Sequence, residues 1–395
     1  MTTQNFPLVS FTPVANAKHD WVALALVFEP SDAVYDSTAM SRLFGDFGLL
    51  EALGPLSCIL PVSDVARIDD DFADQLPTKQ VILHVAAQHC SDPAAQEKLQ
   101  QLQSRGFRIL VSGMPPQNAQ ACAGAQGVSV HCGAGVPSAA AGLKKLSGSH
   151  LALNVANPAS LDQCIAAGFS WFSGEYLLRF APPNKNKAGQ SRTLLLKLLS
   201  LVARDAETRE LESLLKQDPG LSFQLFKLVN SVAFSRSSKI ESFSQAIALL
   251  GRRQLQRWLQ LLLYAQQQGN SANNPLLPLA AMRANLMETL CQKTGGSREE
   301  QDHAYMVGMF SLLEALFGVP LAGIVKELNL SEDMRVALLE RKGRLSALLL
   351  LSEQASCMNG RLQPDTLAAC GIGAEDYCRC LMQACQWAIQ VSQGN

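Results

Sequence analysis

Asp218-Pro219-Gly220-Leu221-Ser222-Phe223-Gln224-Leu225-Phe226-Lys227-Leu228-Val229-Asn230-Ser231, followed by Ala246-Ile247-Ala248-Leu249-Leu250-Gly251, decides the fold of the second half of this chain. Asp218 can accept from the free N–H groups at a helix start, and Pro219 fits the first turn, where no backbone donor is missed. Leu221, Leu225, Leu228 and Val229 fall at i, i+4, i+7 and i+8, the spacing of one buried helical stripe. Asn230 suits the left-handed residue that closes such a helix. Ser242 or Ser244 can open the next helix, and Gly251 can stop it. Taken singly, these residues read as a packed helical hairpin without chemistry.

Downstream the helical pattern continues almost without interruption. Leu255, Trp258, Leu259, Leu262 and Leu263 mark another buried face, and Gln266 to Pro275 makes a polar loop. Arg252, Arg253 and Arg257 read as a solvated helix start. Upstream, Leu194, Leu195, Leu198, Leu199 and Val202 form a further face, and Pro182 to Ser191 is polar and rich in breakers, as an interdomain linker is. Earlier still, short β-rich runs alternate with helix-like segments. The strands are expected at Val22–Phe28, Cys58–Val62, Val81–Ala86, Phe107–Val111, Val128–Cys132 and Leu151–Val155. Helices are expected at Ala94–Arg105, Ser138–Leu146 and Ser160–Ala167, stopped by Gly106, Gly148 and Gly168. Strand–helix repetition predicts a parallel sheet, and the number of units predicts closure into a barrel. The fold class is therefore α/β plus all-α: a barrel over residues 1–182, a linker at 183–191 and a helical domain over 192–395.

The chain has 395 residues, enough for two or three domains, and 48% hydrophobic against 17% charged residues is the balance of a well-cored protein. A formal net charge of -1 supplies no field that would recommend nucleic acid or an anionic membrane as partner. The N-terminus lacks a basic segment followed by an apolar core, and no apolar run is long enough to cross a bilayer, so a cytoplasmic protein is expected. The 11 cysteines are scattered and read as reduced, mostly buried thiols. Cys370, Cys378, Cys380 and Cys385 lack zinc-finger spacing and read as core.

The Asp218–Gly251 signature resembles that of the HDOD domain, an all-helical bacterial signalling module related to the HD phosphohydrolases. Arg283-Ala284 with Glu288 and Leu290, Gly308 to Leu316, and Leu345 to Leu350 extend the resemblance. Gly174-Glu175-Tyr176-Leu177-Leu178-Arg179-Phe180-Ala181-Pro182 resembles the closing strand, and Val22 to Pro30 the opening strand, of an EAL domain. That domain is a TIM-like barrel whose active form hydrolyses cyclic di-GMP with two divalent cations. The resemblance therefore implies a degenerate EAL-type barrel followed by an all-helical HDOD bundle.

Residue by residue, the resemblance puts the family's first metal-binding glutamate at Ala25 and its basic residue at Glu29. It puts the asparagine at or near Pro61, the third-strand glutamate at His84, and the paired aspartates at Ser112 and Gly113. The Lys-x-Asp strand falls on Ser129-Val130-His131, the later glutamate at or near Leu153, and the glutamine on Ser173. The HD doublet of the helical half falls near Ser311-Leu312, and His303 beside Asp302 reads as a surface or capping pair. Two hard cations need several oxygen ligands, mostly anionic, so no catalytic residues and no cofactor are expected. His84 and His131, with His89, Cys90 and Cys132 nearby in sequence, are the alternative: imidazoles that could take a softer metal such as zinc, or hydrogen-bonded fillers of a barrel.

The function expected is that of a non-catalytic signal-transduction scaffold or regulator. By resemblance its partners would be signalling proteins such as sensor kinases or cyclic-nucleotide enzymes, and a homodimer is plausible; neither nucleic acid nor membrane is expected. The alternatives are a cyclic di-GMP receptor without hydrolysis and a phosphodiesterase or phosphohydrolase with an unconventional metal site. Asp218, Pro219, Asn230, Ser231 and Gly251 are structural markers of the HDOD signature.

Overall fold

The computed structural model describes residues 6–29, 37–68, 70–90, 92–113, 127–146, 148–179, 185–218, 221, 225, 243–265, 274–328, 330–356 and 361–393. Eight strands close into a barrel in sequence order: β1 (Leu8–Asn16), β2 (Trp21–Glu29), β3 (Ser57–Val62), β4 (Val81–Ala86), β5 (Arg108–Ser112), β6 (Val128–His131), β7 (Leu151–Leu153) and β8 (Trp171–Phe172). The pairs from β2 to β8 are parallel, whereas β1 runs antiparallel to both β2 and β8.

The barrel thus differs from a uniformly parallel sheet in its first strand. Val22–Phe28 belongs to the second strand, and Leu8–Asn16 precedes it, carrying Pro13 opposite Leu24. A proline inside a run is ordinarily a breaker and hides such a strand from a pattern search. The closing strand is also displaced. It is Trp171–Phe172, and Glu175–Arg179 forms a 3-10 turn. Gly174 makes the bend at φ 139, and a Cβ there would lie 2.4 Å from the Val155 nitrogen, so the backbones touch where no side chain fits. Ser138–Lys145 is likewise 3-10 rather than α-helical.

Helices follow the barrel. The stretch expected as a linker is helical from Lys185, within the Lys185–Ala203 helix. At the signature, the Leu221 N–H donates to Asp218 Oδ1 at 3.1 Å, and Leu221 and Leu225 are buried. Gly251 ends the Phe243–Leu250 helix with φ 79, its N–H donating to the Ile247 carbonyl. Pro219, Asn230 and Ser231 lie outside the described residues. The centre of the bundle is the Leu276–Lys293 helix, packed against Arg298–Phe310, Arg344–Ala355 and the final helix, Ala374–Gln393.

Cys378, Cys380 and Cys385 are buried in that last helix, with Cys385 Sγ 3.7 Å from Met282 Sδ, which is core packing. Among the described cysteines eight are free, but Cys90 is disulfide-bonded, contrary to the expectation of reduced thiols throughout. The final helix also reaches the barrel, against Leu49–Leu53. No helix among the described residues is long and apolar enough to cross a membrane.

Candidate functional site

Val14, Ala23, Ile59, Ile82, Leu110 and Leu151 form one apolar cluster from six strands, the plug of the barrel interior. Side chains alternate across a strand, so Ala25, Pro61, His84, Ser112 and Leu153, two residues beyond their plugging neighbours, face the same interior. Just past β8, the buried Ser173 lies two residues beyond Trp171, which packs against the plug. On β6, Ser129 meets His84 inside the barrel, and His131 lies two residues further on. The positions that the EAL resemblance singles out are therefore gathered at one mouth, at the C-terminal ends of the parallel strands. The side chains there are a methyl, a proline ring, two imidazoles, hydroxyls and a leucine; the one carboxylate among these positions is Glu29, at the end of β2, where the EAL pattern has a basic residue.

His84 Nε2 lies 2.7 Å from Ser129 Oγ. Burial, with the neighbouring His131 adding to it, lowers the His84 pKa to about 4, so its ring is neutral near pH 7. Asn154 Nδ2 donates to His131 Nδ1 at 3.0 Å. The other members of the histidine–cysteine alternative do not join them: His89 Nε2 donates to the Ser63 carbonyl at 2.9 Å, and Cys132 is buried. Among the described residues no group of three or more His, Cys, Asp or Glu is arranged to hold a metal ion. Glu29, at the position of a basic residue in the EAL pattern, accepts from Arg361 Nη1 of the helical half at 3.2 Å.

In the helical half, Ser311-Leu312 lies at the turn that ends the Arg298–Phe310 helix. His303 is not paired with Asp302; its Nδ1 lies 2.9 Å from Asp333 Oδ2. Asp302 instead joins Arg253 and Arg257, which also grip Glu288. These arginines are only partly exposed, so they form a bridge between helices where a solvated helix start was expected.

Arg283 takes the place beside Ser311. It is 1% exposed, donates from Nη1 to Ser311 Oγ at 3.3 Å, and lies 3.8 Å from Glu353. Glu353 in turn accepts from Arg341 at 3.0 and 3.1 Å through both oxygens. Sequence reasoning took Arg283 as part of a bundle scaffold and overlooked Glu353 and Arg341. The available signal was one arginine inside the apolar run Leu276-Leu277-Pro278-Leu279-Ala280-Ala281-Met282-Arg283-Ala284; a charge so placed is buried only with a partner.

The HDOD domain model matches residues 192–322, so the helical half carries an HDOD domain. The uncharacterized protein YuxH of Bacillus subtilis (strain 168) is 28% identical over 245 residues, covering 60% of this chain and 58% of YuxH. The cyclic di-GMP phosphodiesterase CdgJ of Vibrio cholerae is 26% identical over 244 residues, covering 62% of this chain and 56% of CdgJ. The chain thus spans a little over half the length of these curated relatives. Among solved structures, the Xanthomonas citri FimX EAL domain in complex with c-di-GMP is 13% identical with a TM-score of 0.36, covering 44% of this chain and 87% of that one. The protein is a closed eight-stranded barrel followed by helices of which residues 192–322 match the HDOD domain.

Proposed function

We propose that the protein is a non-catalytic regulator in cyclic di-GMP signalling that presents its two domains to other signalling proteins. The link to this pathway is supported by the HDOD domain and by the likeness to a cyclic di-GMP phosphodiesterase. The non-catalytic reading is supported by one observation: of the positions Ala25, Glu29, Pro61, His84, Ser112, His131, Leu153 and Ser173, Glu29 alone carries an anionic oxygen, and it is paired with Arg361. A two-cation hydrolase needs such ligands to overcome ion dehydration and to lower the pKa of the attacking water. The two imidazoles do not substitute for them, since His84 and His131 are each tied to a neutral neighbour.

The test is incubation of the full chain with cyclic di-GMP and magnesium or manganese, followed by chromatography of the nucleotides. Intact cyclic di-GMP is expected; linear dinucleotide, formed by wild type and lost in a His84→Ala, His131→Ala double variant, would overturn the reading. Saturable calorimetric binding of uncleaved cyclic di-GMP would replace the scaffold by a receptor. Affinity capture against sensor kinases and cyclic-nucleotide enzymes tests the partner class, and retention of none of them by either domain counts against it.

A further inference from the structure

We infer that the cleft between the closing turn of the barrel and the helical half is a binding site for a small phosphorylated ligand, whose phosphoryl oxygens are held by Arg283 and Arg341. The cleft has a volume of about 910 Å³ and is walled by Leu178 and Arg179 on the barrel side and by side chains of the helical half opposite. That volume lies within the range of small-molecule sites.

The charge in the wall is unbalanced. Arg283 is almost fully buried, yet its Nε and Nη2 find no hydrogen-bond partner among the described residues. These two donors share one edge of the guanidinium, the edge that grips an oxyanion with two parallel hydrogen bonds. Its remaining nitrogen, Nη1, is directed to Ser311 and Glu353. Glu353 is engaged by Arg341 through both oxygens, so a single carboxylate serves two cations. The other wall carboxylate, Glu314, accepts from the Leu321 N–H at 3.1 Å at the start of the Leu321–Leu328 helix. A buried guanidinium with unmade hydrogen bonds is costly; Nε and Nη2 are covered as the cleft stands, and an anion that displaced the covering side chains to reach them would relieve that cost.

The donor set favours phosphoryl over carboxylate. Two guanidiniums offer more donors than two carboxylate oxygens use well, and guanidinium geometry matches phosphate; the Ser311 hydroxyl already donates to the Gly308 carbonyl and holds Arg283 in place. Beside them the wall is apolar, through Leu312, Leu338 and the unusually exposed Val319, a surface for the body of a nucleotide-sized molecule. The site is independent of the barrel mouth, so its failure would leave the reading of that mouth untouched.

Calorimetry and thermal shift on the full chain, with GMP and pyrophosphate as phosphoryl probes and citrate as the carboxylate control, test the assignment. Saturable binding of a phosphoryl probe is expected, weakened at least about tenfold in Arg341→Ala and in Arg283→Lys. Arg341 is half exposed, so its truncation leaves the core closed and decides the matter. The proposal is overturned if neither phosphoryl probe saturates by about 10 mM, if citrate binds better than both, or if Arg341→Ala binds as wild type does.

Discussion

His84 Nε2 and Ser129 Oγ lie 2.7 Å apart across the inside of the barrel, linking β4 to β6 over the intervening β5. The burial that permits this contact depresses the His84 pKa to about 4. The folded protein therefore takes up this proton less readily than the unfolded chain, whose histidine titrates near 6.5. The stabilisation is complete above pH 6.5 and declines as pH falls from there to about 4, by up to about 3 kcal/mol. Denaturant midpoints measured across this window should fall less steeply in His84→Gln than in wild type. Parallel slopes would contradict this assignment.

Gly308 marks the closest approach of the two central helices: a Cβ there would lie 2.7 Å from Ala284 Cα. The neighbour is backbone and cannot swing aside. Gly308→Ala should destabilise by about 1–3 kcal/mol in urea titration. Gly323 is the control, since a Cβ there meets nothing within 4 Å in the Leu321–Leu328 helix. Gly323→Ala should be neutral or stabilising by about 0.5–1 kcal/mol. Equal losses at both sites would remove the packing argument.

Glu288 is shared by Arg253 and Arg257, the latter also stacked 4.3 Å from the Tyr305 ring centroid. Removing the carboxylate leaves two partly buried cations to compete for Asp302. Glu288→Ala should cost about 2–4 kcal/mol of stability, and the triple change with Arg253→Met and Arg257→Met should recover part of it. A loss below that of ordinary surface substitutions would show the bridge to be solvated.

Arg42 of the barrel meets Glu375 of the final helix at 2.8 Å, and both Arg42 and Arg379 lie over the Phe47 ring. Glu375→Lys replaces this attraction with like charges. Hydrogen exchange should rise in residues 49–53 and at the start of the final helix, while the strands stay protected. Because the pair is exposed, salt should narrow the difference from wild type. Unchanged exchange at those segments would mean that the pair does not hold the domains together.

Much of the architecture was legible from local pattern. Asp218 caps, Gly251 stops its helix, and six of eight strands coincide with β-rich runs, because capping, left-handed backbone and alternation act over a few neighbouring residues. The same alternation carried the EAL-derived positions to one mouth. What escaped was non-local. Strand β1 contains Pro13 and is secured by two distant antiparallel partners, and the helix from Lys185 begins in residues whose composition suits a linker.

The sequence by itself determined that a barrel precedes a helical domain, since strand–helix alternation and helical stripes are properties of residue type and spacing. Only the tertiary structure decided that Arg283 is buried beside Ser311 and Glu353, that Arg341 shares the same carboxylate, and that His84 is neutral. Those are consequences of desolvation and of charges meeting across segments far apart in the chain, and no local pattern encodes which partners will meet.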